Sequence, residues 1–489
     1  MRSMSRADAL DLALAALVFV SRLPFLSPGA GNDNDAWFLV NAARELAASG
    51  RYTTSRFPGY PVQEWLCSLV ARAGGGPEAM NAVSALAGAA AVWLFARLLR
   101  RLGVRDVALA ALAFAFAPAM SVASVSAMDY TLAIAFVLAA CNARLAGRPA
   151  WTGVWLGLAI GTRLTSLVLV PAVLLLPVLP PTVPRGTSRG FALTLAGLVA
   201  AACYFPAWAR YGWGFLRFVD PLGTSSSPLD FVTGFLHLDR LPFPPALVLG
   251  QATALLWGVA GSVALGLAFV MALARRPGER AAGELPRGVV PAALVAIAAE
   301  LLLYVRLPHD EGYLLPILPF VVLLSARWAT LAWHRVACVA IALSSFLLGV
   351  DVDPPKKGIA PETRSSLARS VPLGGHRLWL DPVRGPLAQD HDKRVAAAHL
   401  ADRVLATFPV PPRHTLLFAG VVCAELTARA PQDRARPWYT DYLSEADLRA
   451  RVLSGGTVWL LPGARERVIT VAGYDPIAAG ARPWPFAPR

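Results

Sequence analysis

Long apolar runs alternate with short, arginine-rich polar connections along the first 350 residues. About 20 consecutive apolar residues cover the hydrocarbon core of a bilayer. Runs of that kind stand near 7 to 26, 80 to 99, 106 to 125, 129 to 146 and 150 to 162, the last of them short. Others follow near 164 to 180, 190 to 208, 245 to 274, 288 to 305, 312 to 331 and 336 to 350, so the pattern predicts about eleven spanning helices. The first two runs are separated by a long connection, 27–79, with a pattern of its own. There Phe38, Leu39, Ala42, Ala43 and Leu46 share one helical face while Arg44 and Glu45 turn away, which predicts an amphipathic helix along the membrane surface. Arg56-Phe57-Pro58-Gly59-Tyr60-Pro61 then predicts a tight turn, because each proline fixes φ and the glycine admits a conformation other residues avoid.

After Val350 the long apolar runs stop. Short β-rich stretches at 376–380, 415–420 and 457–462 read as buried strands, and 391–407 and 444–454 have helical periodicity between them. The chain is therefore expected to divide into a membrane domain, 1–350, and a small α/β domain, 351–489. The fold class expected is a polytopic α-helical membrane protein with a C-terminal α/β unit.

Composition agrees: 56% of the 489 residues are hydrophobic and only 16% charged, with a mean hydropathy of +0.52, too apolar for an ordinary soluble domain. The net charge of +14 does not point to nucleic acid, because the arginines cluster in short groups between apolar runs as topology determinants do. Arg97, Arg100, Arg101 and Arg105 form one cluster, Arg144 and Arg148 another, and Arg275, Arg276, Arg280 and Arg287 a third; all fall on the same side. By the positive-inside rule that side is the cytoplasm. Loop 27–79, loop 209–244 and everything after Val350 then face outward from the cytoplasmic membrane. The five cysteines show no metal or CxxC spacing. Residues 9–20 resemble a signal-peptide core but lack a small-residue cleavage site, so the first run is expected to be retained as a helix.

Three places carry candidate chemistry. Asp33 and Asp35 stand one residue apart just after the first apolar run. A carboxylate at the lipid-water boundary can act as a general base, and Asp-x-Asp can also hold a divalent cation such as Mg²⁺ or Mn²⁺ through hard oxygen ligands. Helix capping by Asn34 or Asp35 is the plain alternative. Gly161-Thr162-Arg163 joins the fifth and sixth runs with no polar loop, which holds an arginine at membrane depth; such residues are functional candidates unless they snorkel to the headgroups. The third place is Arg306-Leu307-Pro308-His309-Asp310-Glu311-Gly312-Tyr313, where Arg306 and His309 could bind a phosphate and a solvated turn is the competing reading.

This combination resembles the GT-C membrane glycosyltransferases, and most resembles the branch of protein O-mannosyltransferases and the lipid A aminoarabinose transferase. The resemblance spans roughly residues 7–350. In that family the first outer loop commonly reads Asp-Glu-x-x-Tyr; here the alignment puts Asn34 and Asp35 on the acidic pair, a departure that leaves the choice between Asp33 and Asp35 open. The resemblance implies transfer of a hexose or pentose from a polyprenyl-phosphate donor within the membrane lipid to an acceptor on the outer face, with inversion. It implies that Asp35 or Asp33 deprotonates the acceptor. Arg163, Arg306 and His309 would stabilise the departing phosphate, and Arg56, Tyr60 and Tyr313 would line the substrate pocket. Metal dependence stays open, since the superfamily contains both kinds. The competing functions are a polysaccharide ligase or polymerase and a lipid-carrier flippase. A secondary transporter should show paired inverted repeats, and the long first outer loop has no later counterpart.

Overall fold

Many helix boundaries fall where a capping side chain, a proline or a glycine stands. The computed structural model describes residues 6–179, 187–216, 218–219, 225–226, 250–274, 284–306, 311–353, 364–373, 376–408, 414–431, 438–441, 443–465, 468–469 and 473–485. Helix α1 covers Arg6–Arg22 and α2 covers Asn34–Ser49. The cap of α2 is Asp33, one residue before the position the sequence suggests. Its backbone is extended and its carboxylate accepts the Asp35 N–H at 3.1 Å, whereas Asn34 is already helical. The helix stops at Gly50, which takes the left-handed conformation with φ of 68°.

Helices α3 (Pro61–Arg72) and α4 (Pro77–Arg101) open with proline at the first helical position. The run predicted as one span at 106–125 is instead two helices, α5 (Val107–Ala115) and α6 (Pro118–Ala123). Pro118 forces Ala117 into an extended conformation, and the helix restarts beyond it. Then follow α7 (Tyr130–Leu145), α8 (Pro149–Thr162), α9 (Val170–Leu175) and α10 (Thr187–Tyr211). After these come α11 (Gly258–Leu273), α12 (Val289–Arg306), α13 (Leu318–Trp328) and α14 (Leu331–Leu343). The contact of α8 with α10 depends on small residues spaced four apart. A Cβ at Gly153 would lie 2.6 Å from the Ala192 carbonyl, one at Gly157 would lie 2.5 Å from Val199 Cβ, and one at Gly161 would lie 2.5 Å from Cys203 Cβ. This close approach is the small-residue packing of membrane helices, and it fixes the end of α8 from which Arg163 projects.

Among the described residues, two helices are long and apolar enough to cross a membrane, Pro77–Arg101 and Arg189–Leu216, and six shorter apolar helices accompany them. Large apolar side chains such as Leu198 on α10 and Leu267, Val270 and Leu273 on α11 are exposed, the pattern of helices that face lipid. The chain has the character of an integral membrane protein.

Beyond Leu348 the described structure turns to strands. β1 (Gly349–Asp353), β2 (Arg369–Leu373) and β3 (His376–Asp381) form an antiparallel sheet in the order β1-β3-β2. Helix α15 (Pro386–Thr407) leads to β4 (Thr415–Phe418), α16 (Cys423–Arg429), β5 (Tyr439–Thr440), α17 (Glu445–Leu453), β6 (Thr457–Leu460) and β7 (Arg482–Pro483). These last four strands form a parallel sheet in the order β5-β4-β6-β7, with Leu417 opposite Trp459. A second hydrophobic cluster, including Val404, Leu417, Phe418, Trp438 and Val458, gathers around them.

One helix of this part belongs to the other core. Ala424 and Ala428 of α16 pack in the same cluster as Trp37 and Val40 of α2. Asn41 donates to the Ala424 carbonyl at 3.1 Å and Arg44 to the Ala428 carbonyl at 2.7 Å, so the polar face of α2 is occupied by α16. Between those carbonyls Glu425 is buried, 2.6 Å from Arg429. Burial pushes its carboxyl up to about 6 from 4.5, and Arg429 offsets only part of that. The folded state then holds the proton more tightly than the unfolded state. The contribution is fully present below about pH 4.5 and is lost as pH rises through about 6, a change of roughly 2 kcal/mol. Glu425→Gln is expected to flatten stability across that window in thermal melts of the detergent-solubilised chain. An unchanged slope would assign the titration to another group.

Candidate active site

The turn predicted at 56–61 is organised by Glu64, a buried carboxylate in the first turn of α3. Its Oε2 accepts from the Tyr52 hydroxyl, and its Oε1 accepts from the Ser55 N–H and hydroxyl at 2.7 Å each. Burial pushes both the Glu64 carboxyl and the Tyr52 phenol above their ordinary values. Gly59 takes φ of 102°, and a Cβ there would lie 2.9 Å from the Tyr52 oxygen, so glycine is required on both counts. The Tyr204 hydroxyl, 3.3 Å from the carbonyls of Gly59 and Ile160, ties the turn to α8 and α10.

This scaffold presents Arg56 and Tyr60 to three other elements. Arg56 Nη1 lies 3.3 Å from Asp35 Oδ2, and its Nη2 donates to Asp129 Oδ1 at 2.8 Å. The other oxygen of Asp129 accepts from Arg163 Nη1 at 2.6 Å. Acid and base therefore alternate in one row: Asp35, Arg56, Asp129, Arg163. Side-chain exposure falls from 40% at Asp35 to 18% at Arg56 and 3% at Asp129, with 6% at Arg163. The row thus runs from an open end to a dry one. Tyrosine rings enclose it: Arg56 stacks on Tyr60 at 4.1 Å, and Arg163 lies 4.1 Å from the Tyr130 ring and 4.3 Å from that of Tyr313. Ser84 fastens the segment before α7, donating to the Met128 carbonyl at 3.1 Å and accepting on its own carbonyl from Thr131 at 3.0 Å.

Of the residues singled out in the sequence, Asp35, Arg56, Tyr60, Arg163 and Tyr313 meet in this row and its tyrosine wall, with Asp33 two residues from its open end. Arg163 is buried and paired rather than snorkelling. The side chain of Arg306 and all of His309 lie outside the described residues. Sequence reasoning missed Asp129, Tyr130 and Glu64. For Asp129 a signal existed: it is the sole acidic residue between Asp106 and Asp220, a carboxylate isolated in apolar sequence.

Preorganised guanidinium groups beside an open carboxylate can stabilise a leaving anion and accept a proton. The same residues fit a cation less well. Asp33 uses a carboxylate oxygen on the helix cap, Asp35 leans on a guanidinium, and among the described residues no three His, Cys, Asp or Glu side chains gather as a metal-holding group.

Residues 58–209 match the family model described as dolichyl-phosphate-mannose-protein mannosyltransferase. The matched stretch holds Tyr60, Glu64, Asp129 and Arg163 and begins after Asp35 and Arg56. The resemblance drawn from the sequence is borne out: the chain is similar to the GT-C membrane glycosyltransferases that use a polyprenyl-phosphate-linked sugar. No curated protein matches the sequence. Among solved structures, its fold is similar to the crystal structure of ArnT from Cupriavidus metallidurans bound to undecaprenyl phosphate, at 14% identity and a TM-score of 0.48, over 97% of this chain and 89% of that one.

Proposed function

We propose that the chain transfers a sugar from a polyprenyl-phosphate donor to an acceptor on the outer face of the cytoplasmic membrane, inverting the anomeric carbon. Residues 1–350 form the catalytic membrane domain with about eleven spans, and 351–489 lie outside the cytoplasm. The observation that carries this reading is the row Asp35-Arg56-Asp129-Arg163, which sets an exposed carboxylate against the Arg56 guanidinium and links it through Asp129 to that of Arg163.

The acceptor nucleophile loses its proton to Asp35 and bonds to the anomeric carbon, while the bond from that carbon to the phosphate oxygen breaks on the opposite face. Negative charge develops on the departing polyprenyl phosphate, and Arg56 and Arg163 offset it; the family resemblance gives Arg306 and His309 the same role. Asp129 fixes the two guanidinium groups in place before the reaction, so little reorganisation is needed when the charge appears. Asp35 is preferred to Asp33 as the base because Asp33 is engaged in the helix cap. Tyr60 and Tyr313 border the sugar. A donor-lipid screen on membranes containing the chain, scoring released polyprenyl phosphate, tests the proposal. Release from at least one polyprenyl-phosphate sugar is expected, and no release from any hexosyl or pentosyl donor would defeat it.

A further inference from the structure

A cavity of about 40 Å³ opens beside the row, lined by Asn32, Asp33, Ser126, Tyr130, Gly312 and Asp390 among others. Tyr130 is shared, since its ring also packs on the Arg163 guanidinium. The cavity has room for several water-sized groups, and so for a hydroxyl or amine. Among the described residues its lining carries two carboxylates and no cation. One of those carboxylates comes from the other part of the chain: Asp390 lies on α15 and is only 6% exposed. Its Oδ2 lies 3.1 Å from Arg394 Nε, without an aligned hydrogen bond. Arg394, also buried, donates to the Val125 carbonyl at 3.2 Å and to the Phe25 carbonyl. It braces both walls, which are joined to each other by the Ala127 N–H on the Ala30 carbonyl at 2.8 Å. The brace holds Asp390 at the cavity wall, with Oδ2 buried beside the Arg394 guanidinium and making no hydrogen bond.

We infer that this cavity receives the reacting end of the acceptor, and that Asp390 selects an end bearing hydrogen-bond donors, a hydroxyl or an ammonium, over an anionic one. The inference rests on the glycosyltransferase reading, because that reading supplies the acceptor. A buried carboxylate rewards a cationic donor and repels an anion, whereas a phosphate is better met at the guanidinium side of Tyr130. The C-terminal unit thereby acquires a role as one wall of the site.

The test uses the full chain in detergent, with the thermal midpoint followed during titration by dodecyl glycosides carrying glucosamine, glucose or glucuronate heads. The expected order of half-saturating concentration is glucosamine lowest and glucuronate highest. Asp390→Asn is expected to weaken the glucosamine head about tenfold and to close its gap to glucuronate. Equal responses to the three heads, or the same order in Asp390→Asn, would overturn the inference. Should Asp390→Asn fail to elute as folded protein, Val122→Phe enlarges a lining side chain, keeps Asp390 and Arg394, and is expected to abolish the headgroup-dependent shift; a shift that survives would also overturn it. Undecaprenyl phosphate titrated into the same preparation reports on the donor reading separately. No response to it beside an intact headgroup order would remove that reading and leave the acidic subsite standing.

Discussion

Asp35→Asn is expected to slow sugar transfer about 10²- to 10⁴-fold, the usual contribution of a positioned base, with little change in folding. Asparagine is nearly isosteric, and the cap of α2 is supplied by Asp33 rather than Asp35. The ion pair that is lost, 3.3 Å from Arg56, has a partner 40% exposed on the Asp35 side. Such exposed pairs contribute about 0–1 kcal/mol. A large loss of turnover at matched thermal midpoint therefore isolates the chemical step. The matching change Asp33→Asn is expected to cost cap stability, roughly 1 kcal/mol, and much less turnover. If the two variants exchange these behaviours, the base is Asp33. If the double Asn variant transfers at the normal rate, the loop is not the catalytic centre and the ligase or flippase reading takes its place. Turnover is also expected to be indifferent to chelators, since a guanidinium stands against Asp35; rescue of chelated enzyme by Mg²⁺ or Mn²⁺ would return the pair to metal binding.

What could be read from the sequence and what could not divide along physical lines. Hydropathy marks apolar runs because each is a local property, but it could not show that Pro118 breaks the run at 106–125 into α5 and α6. Asp35, Arg56, Tyr60, Arg163 and Tyr313 stood out because a charge or a stiff turn at a membrane boundary needs a reason. Asp129, which joins the two arginines, was just as isolated in sequence but was absorbed into the start of an apolar run. Glu64 gave no signal, because its partners Tyr52 and Ser55 reach it only once the turn has formed. Asp390 and Arg394 look like an ordinary i,i+4 pair on a charged helix. Only the tertiary structure puts Arg394 on the carbonyls of Phe25 and Val125, more than 250 residues away in sequence.

The alternation of charge along the row makes Asp129 the residue whose loss should be felt most in stability. Asp129→Asn leaves two arginines facing one carboxylate, and the buried member, Arg163, loses its 2.6 Å partner while remaining in the tyrosine wall. Removing one partner of a buried pair costs about 3–5 kcal/mol, because the uncompensated charge must stay dehydrated. Asp129→Asn is therefore expected to give little folded, monodisperse protein, or a thermal midpoint well below that of the parent. Adding Arg163→Met removes the stranded charge at similar volume and leaves Arg56 with Asp35, so the double variant should recover most of the loss. Its activity should not recover, since the guanidinium that offsets the leaving phosphate is gone. Arg163→Met alone strands no arginine, because Arg56 still holds Asp129 at 2.8 Å; it should fold better than Asp129→Asn and turn over as poorly as the double variant. A single Asp129→Asn as stable as the parent would mean that the row does not carry the packing of this site. A double variant that transfers sugar normally would mean that Arg163 serves structure and not the phosphate.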